Sequence, residues 1–250
     1  MNLQRTMALV KMNVKKVIRE PAYLFLMILF PAVLTLSFGL AFASTPSATP
    51  GVSQFDFMVP GLFGYACIFI IMTVAQAFAE DREQGLLKRI NTTPTTSGEF
   101  IGSNIISNML ISLMQVAIVA ALTFVLGFRP EGGATGYLLA FVFISFLSVC
   151  SVGLGLITAT IAKNAGTATG IAFIFILPQM FFGTFIPVTE TTEVIAIFLP
   201  SYYATDSLTM IFSGTPLTEI SIWTNLAVLA IISIVIVIVG IELFKKYGKA

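Results

Sequence analysis

Six stretches of this chain, near Ala22–Ala43, Met58–Ala79, Ile105–Phe128, Tyr137–Ala162, Ala165–Ile186 and Ile222–Leu243, are long and almost wholly apolar. The one charge within them is Glu242, at the end of the sixth. A helix of roughly 20 apolar residues crosses the hydrocarbon core of a bilayer. Composition agrees: 57% of the residues are hydrophobic and 10% charged, against about 25% charged in soluble domains. Such a chain would leave a large apolar surface in water, so its solvent is the bilayer. The expected fold is an all-α membrane protein with six transmembrane helices, one transmembrane domain over residues 1–250.

An even number of spans puts both termini on one side, and Lys and Arg mark the cytoplasmic side. The N-terminal tail holds Arg5, Lys11, Lys15, Lys16 and Arg19. The linker after the second span adds Arg82, Lys88 and Arg89, the fourth linker Lys163, and the C-terminal tail Lys245, Lys246 and Lys249. Twelve of the 13 basic residues therefore share a face, with Arg129 alone on the other. The expectation is a multi-pass protein of the plasma membrane with both termini cytoplasmic.

The first 20 residues read as an interfacial helix. Leu3, Met7, Val10, Val14 and Val17 recur at helical spacing, with Arg5, Lys16 and Arg19 opposite and Lys11 and Lys15 along the flank. An apolar seam with a basic flank suits a helix lying beside anionic lipid, and Pro21 turns the chain into the first span. The basic stretch, apolar run and Ala41-Phe42-Ala43 also resemble a secretory signal. That run exceeds the usual 7–15 residues of such a signal, which favours a retained span.

Outside the spans, Ser44–Phe57 is a turn-rich loop, while Pro187–Ser221 carries four acidic residues and no Lys or Arg. Its apolar stretches Val194–Leu199 and Leu208–Phe212 are too short to cross. Two re-entrant half-helices broken at Pro200 are expected there, with Tyr202, Tyr203 and Trp223 at the interface. Pro187, Pro200, Tyr202 and Asp206 are the candidates for an outer gate.

Candidate chemistry is sparse. There is no His and no phosphate-binding glycine loop, and the span interiors lack the ionisable groups that ion-coupled carriers use. Cys67 and Cys150 lie in apolar runs and read as packing residues. Asn104, Asn108, Ser112 and Gln115 form a polar stripe on one face of the third span. It would line a translocation path or bind neighbouring helices.

Most informative is Glu80–Glu99, which holds seven of the 25 charged residues. A charge at the bilayer centre costs about 2.5–3.5 kcal/mol on the gentlest scale, so this segment lies in water or against a soluble partner. Gly85 would break the helix leaving the second span. Leu86, Leu87 and Ile90 form an apolar patch beside Lys88 and Arg89, and Pro94 ends it. Thr95–Ser97 would cap the next helix, with Glu99 in its first turn. A short amphipathic helix on the membrane surface is expected.

These residues resemble the permeases of the ABC-2-type exporter family, in its drug-resistance and polysaccharide-efflux branch. The family's E-x-G-T-L-x-[RK]-[LI]-x-x-[TS]-P pattern is matched by Glu83, Gly85, Leu87, Arg89, Ile90, Thr93 and Pro94, with Leu86 in place of Thr. Glu99 and Gly102 fit the following acidic residue and glycine, while Ser103 stands where Lys often follows. Arg19-Glu20-Pro21, Pro31 and the stretch Phe198–Leu208 fit as well. The resemblance implies a subunit that pairs with a second permease copy and with ATP-binding subunits. Glu83, Gly85, Leu87, Arg89, Pro94 and Glu99 would belong to a cytoplasmic coupling helix and its flanks, docked on the ATPase. The chain would bind no cofactor itself; ATP and Mg would be bound by the partner. An amphipathic drug, lipid or glycan would be the cargo, and no nucleic acid is expected. A stand-alone carrier or channel, or an intramembrane enzyme, is the alternative.

Overall fold

The computed structural model describes residues 3–19, 21–47, 53–85, 96–185 and 188–247. Among them the secondary structure is helical, joined by short turns, with one isolated bridge between Pro46 and Ser53. The helices are α1 (Leu3–Arg19), α2 (Pro21–Phe42), α3 (Gln54–Ile68), α4 (Ile70–Glu83), α5 (Ser97–Val125), α6 (Gly133–Ile161), α7 (Ala165–Met180), α8 (Glu190–Ala196), α9 (Pro200–Phe212) and α10 (Ile220–Tyr247). A π turn, Phe181–Phe185, follows α7.

Five stretches among the described residues are long and apolar enough to cross a membrane: Gln54–Glu83, Gly98–Val125, Gly133–Ile161, Ala165–Gly183 and Ile220–Leu243. The first of these joins α3 and α4 through a turn at Phe69. The first expected span falls on α2, whose 22 residues give about 33 Å at 1.5 Å per residue. Within it, Ile28–Phe42 is an apolar helix. The protein is thus an all-α membrane protein.

Local chemistry sets where the helices begin. Ser53 caps α3, its Oγ accepting from the Asp56 N–H at 3.0 Å while Asp56 Oδ2 accepts from the Ser53 N–H at 3.2 Å. Thr96 and Glu99 repeat that capping box at α5, so α5 starts eight residues before the expected apolar run. Pro200 occupies the first turn of α9, where a missing N–H is harmless. It therefore opens the second of the two short helices, as its position between the apolar stretches implies.

Helix α6 is the hub, touching α3, α4, α5, α7, α9 and α10. It approaches its neighbours through glycine. A Cβ on Gly155 would lie 2.8 Å from Val74 Cβ and 2.9 Å from the Ile71 carbonyl, and one on Gly153 2.8 Å from Ile236 Cγ2. Between apolar helices in lipid there is no hydrophobic drive, so close backbone approach of this kind holds them together. At one end, Phe63 and Phe128 meet Phe212 edge-on, each 5.5 Å between ring centres. At the other, Phe78, Phe100 and Ile101 pack with Leu156 and Ala159, and Ile241 of α10 joins them.

We expect Gly155→Ala to lower thermal stability in detergent by about 1–3 kcal/mol, because the new methyl meets backbone. Gly170, on α7, has nothing within 4 Å of an added Cβ. Gly170→Ala should be neutral or gain up to about 1 kcal/mol from helix propensity. Equal melting shifts for the two would contradict this packing.

Candidate functional site

The candidate site lies where α4 ends. Arg82 donates from its guanidinium to the Ala162 carbonyl at the end of α6. The next residue, Glu83, accepts through Oε1 from the Ala165 N–H at the start of α7, at 3.2 Å. A cation thus meets a helix C-terminus and an anion a helix N-terminus, the favourable sense for both dipoles. Between them Lys163 and Asn164 form the α6–α7 turn, and Asn164 Oδ1 caps α7 by accepting from the Thr167 N–H at 2.7 Å. Arg82 and Glu83 therefore tie the exit of α4 to this turn.

Gly85 then breaks the helix. Its φ of +69° is left-handed, where a side chain is disfavoured. Its N–H reaches the Arg82 carbonyl at 3.1 Å and the Gln84 N–H reaches Glu80 at 2.9 Å, closing the last turn. The expected interruption at Gly85 is present. Leu87, Arg89 and Pro94, with the rest of 86–95, lie outside the described residues.

Glu99 sits differently from an exposed docking residue. It is 2% exposed, and its Oε2 accepts from the Thr96 N–H at 3.0 Å while the Thr96 hydroxyl accepts from its own N–H at 3.2 Å. Its carboxylate is engaged in starting α5.

Beside this junction α1 docks on α5. The docked face is Thr6, Val10, Asn13 and Val17, of which Thr6 and Val10 are buried. The expected seam divides accordingly: Val10 faces protein, whereas Leu3 and Met7 are exposed together with Ile18. Two polar links hold the helix down. Asn13 Nδ2 donates to Asn104 Oδ1 at 3.2 Å, and Lys16 Nζ pairs with Asp81 Oδ1 at 3.0 Å. A cavity of about 230 Å³ lies beneath, between α1, α4 and α5.

The polar stripe on α5 splits in two. Asn104 and Asn108 line that cavity. Ser112 and Gln115 lie deeper and are buried, and the Ser112 hydroxyl donates to Cys67 Sγ on α3 at 3.3 Å. The stripe therefore serves the cavity at one end and helix packing at the other.

At the opposite end, Asp206 of α9 accepts through Oδ2 from Asn225 Nδ2 of α10 at 2.9 Å. Tyr202 stacks edge-on against Tyr203, whose hydroxyl donates to the Ile197 carbonyl at 2.7 Å. Pro200 is buried, and Pro187 lies outside the described residues. Pro200, Tyr202 and Asp206 thus share one short helix, α9. The sequence reading passed over Asn13, Asn164 and Asn225 as well as the partners of Arg82. Each contact but the Asn164 cap joins residues 18 or more positions apart, beyond the reach of any local pattern.

A helical membrane bundle, with a charged junction at the end that carries α1 and two short helices at the other, is the architecture of a permease. The chain belongs to the ABC-2 type transporter family, whose model matches residues 4–213. A comparison with curated proteins gave no match. Membership makes the chain a multi-pass membrane permease of ABC-type transport, and the family context includes an ATPase partner.

Burial lifts the Asp206 carboxyl above its ordinary range, partly opposed by the Asn225 hydrogen bond. A carboxyl whose folded pKa is raised adds stability at low pH and loses it as pH rises through that folded pKa. Thermal unfolding in detergent should therefore show stability falling over that rise. Asp206→Asn should flatten the step; an unchanged profile would mean the carboxyl does not sense this contact.

Proposed function

We propose that this chain is the membrane-spanning subunit of an ATP-driven exporter. It crosses the membrane six times, with both termini and the Glu80–Glu99 segment in the cytoplasm. It works as a pair, with a second permease copy and separate ATP-binding subunits that hold ATP and Mg, and it moves an amphipathic drug, lipid or glycan outward. The carrying observation is the double clamp of Arg82 and Glu83 on the α6–α7 turn. Any force delivered to 86–95 reaches α4 first, and the clamp passes it to α6, which packs against α3, α4, α5, α7, α9 and α10. Gly85, left-handed at φ +69°, ends α4 immediately before the proposed docking segment. The twelve basic residues favour the cytoplasmic assignment of this end, and the uncharged span interiors favour an external energy source over ion coupling. Helices α8 and α9 in this reading lie on the outer side and close the exit.

In this reading the purified chain alone hydrolyses no ATP. Glu83→Gln weakens the contact at α7 and Gly85→Ala strains the left-handed turn, by about 1–2 kcal/mol. Both variants should insert normally and lower export by the assembled complex. Their ATPase should run on with less transport per ATP. Wild-type export at wild-type ATPase rates in both variants would remove the coupling role. Flux through the chain alone in liposomes, without an ATPase, would instead establish a carrier or channel.

A further inference from the structure

The cavity beneath α1 has a chemistry that coupling does not require. Asn13 and Lys16 of α1, Gln76, Glu80 and Asp81 of α4, and Asn104 and Asn108 of α5 surround it. Val17, Ala77 and Ile111 supply its apolar wall. Two carboxylates face one ammonium. Lys16 takes Asp81 at 3.0 Å, while the exposed carboxylate of Glu80 makes no ion pair or hydrogen bond with another described residue. The cavity therefore carries one net negative charge.

Its neutral groups also present acceptors. Asn104 Nδ2 donates to the Phe100 carbonyl at 3.0 Å and Asn108 Nδ2 to the Asn104 carbonyl at 2.9 Å. Each side chain thus puts one of its two amide N–H donors on its own helix, and the Asn108 carboxamide oxygen, for which no bond to another described residue occurs, is left as an acceptor. The Gln76 carboxamide makes no hydrogen bond with another described residue. A ligand rich in donors and carrying a positive charge matches this set. Lys16 demonstrates the fit, because its own alkylammonium occupies one of the two carboxylates, with its side chain 46% exposed.

We infer that the cavity binds the primary ammonium head of an amphiphile, with Glu80 as counter-ion and Lys16 as the built-in competitor. The volume of about 230 Å³ is below the roughly 300–1,000 Å³ that encloses a drug-sized ligand. Only the head enters, and the hydrocarbon part runs out along Val17 and Ile111. An aminophospholipid of the membrane and a soluble amphipathic amine present the same head. The inference leans on the exporter reading only for what becomes of the ligand; binding itself needs neither ATP nor a partner subunit.

The test uses the full chain in nanodiscs of phosphatidylglycerol, titrated with dodecylamine by calorimetry, with empty discs subtracted. Saturable binding is expected, with none for dodecyl sulfate. Glu80→Gln should weaken dodecylamine binding by on the order of tenfold, the scale of a charge-assisted contact. Asn108→Asp should tighten it, which guards against a variant that merely misfolds. Lys16→Met should also tighten it, because the competitor is gone; a purely structural Lys16 would give looser binding. Phosphatidylethanolamine in the discs will compete if the lipid head is the ligand and leave the affinity unchanged if a soluble amine is. Equal dodecylamine binding by wild type, Glu80→Gln and Lys16→Met would mean partition into the bilayer and would overturn the site. That result leaves the exporter reading standing, since coupling is measured separately through Glu83 and Gly85.

Discussion

Close approach of α6 to its neighbours is the constraint on which the rest depends. In lipid an apolar side chain gains nothing by leaving one hydrocarbon for another, so helices hold together where their backbones come near. Gly153 faces Ile236 and Val237 of α10, and Gly155 faces Ile71 and Val74 of α4. A larger residue at either place would push α6 away and open the bundle between its two principal partners. Because α6 is held this closely, the turn at its end is a firm anchor. Arg82 and Glu83 grip that turn, so the exit of α4 is tied to the hub helix of the bundle.

Polar groups are placed with equal economy. Several are spent on helix ends, where Ser53, Thr96 and Asn164 each satisfy an N–H that a helix start leaves open. A second set joins helices, as Asn225 does with Asp206 and Ser112 with Cys67. The remaining concentration lies between α1, α4 and α5, and there a cavity remains among the side chains. Its contents distinguish it from the helix-joining contacts: Glu80 and Gln76 face it without a partner among the described residues. The Arg82–Glu83 clamp and the cavity are neighbours on α4, which puts Glu80 within one helical turn of the proposed coupling residues.

Much of this was legible in the order of residues, and the legible parts share a physical character. Continuous apolar runs announced the helices because a bilayer admits few other structures. Gly85, Thr96 with Glu99, and Pro200 were recognisable because capping and helix breaking act over three or four residues. The expected seam of α1 was half right: periodicity finds an apolar stripe but cannot tell whether protein or lipid covers it. Here Val10 meets α5 while Leu3 and Met7 stay exposed. Glu99 shows the same limit. Its place three residues after Thr96 marks it as a capping partner, but that it is buried, at 2% exposed, depends on tertiary packing.

Composition and local chemistry settled the class of fold, the places where helices start, and the break at Gly85, since each follows from solvent or from neighbours a few residues away. Tertiary structure alone decided that Arg82 and Glu83 reach across 80 and 82 positions to the α6–α7 turn. It likewise decided that the α5 stripe divides between cavity and core, and that Lys16 meets Asp81 across 65 positions. Those contacts depend on which helix faces are brought together in three dimensions, and a one-dimensional period carries no record of that choice.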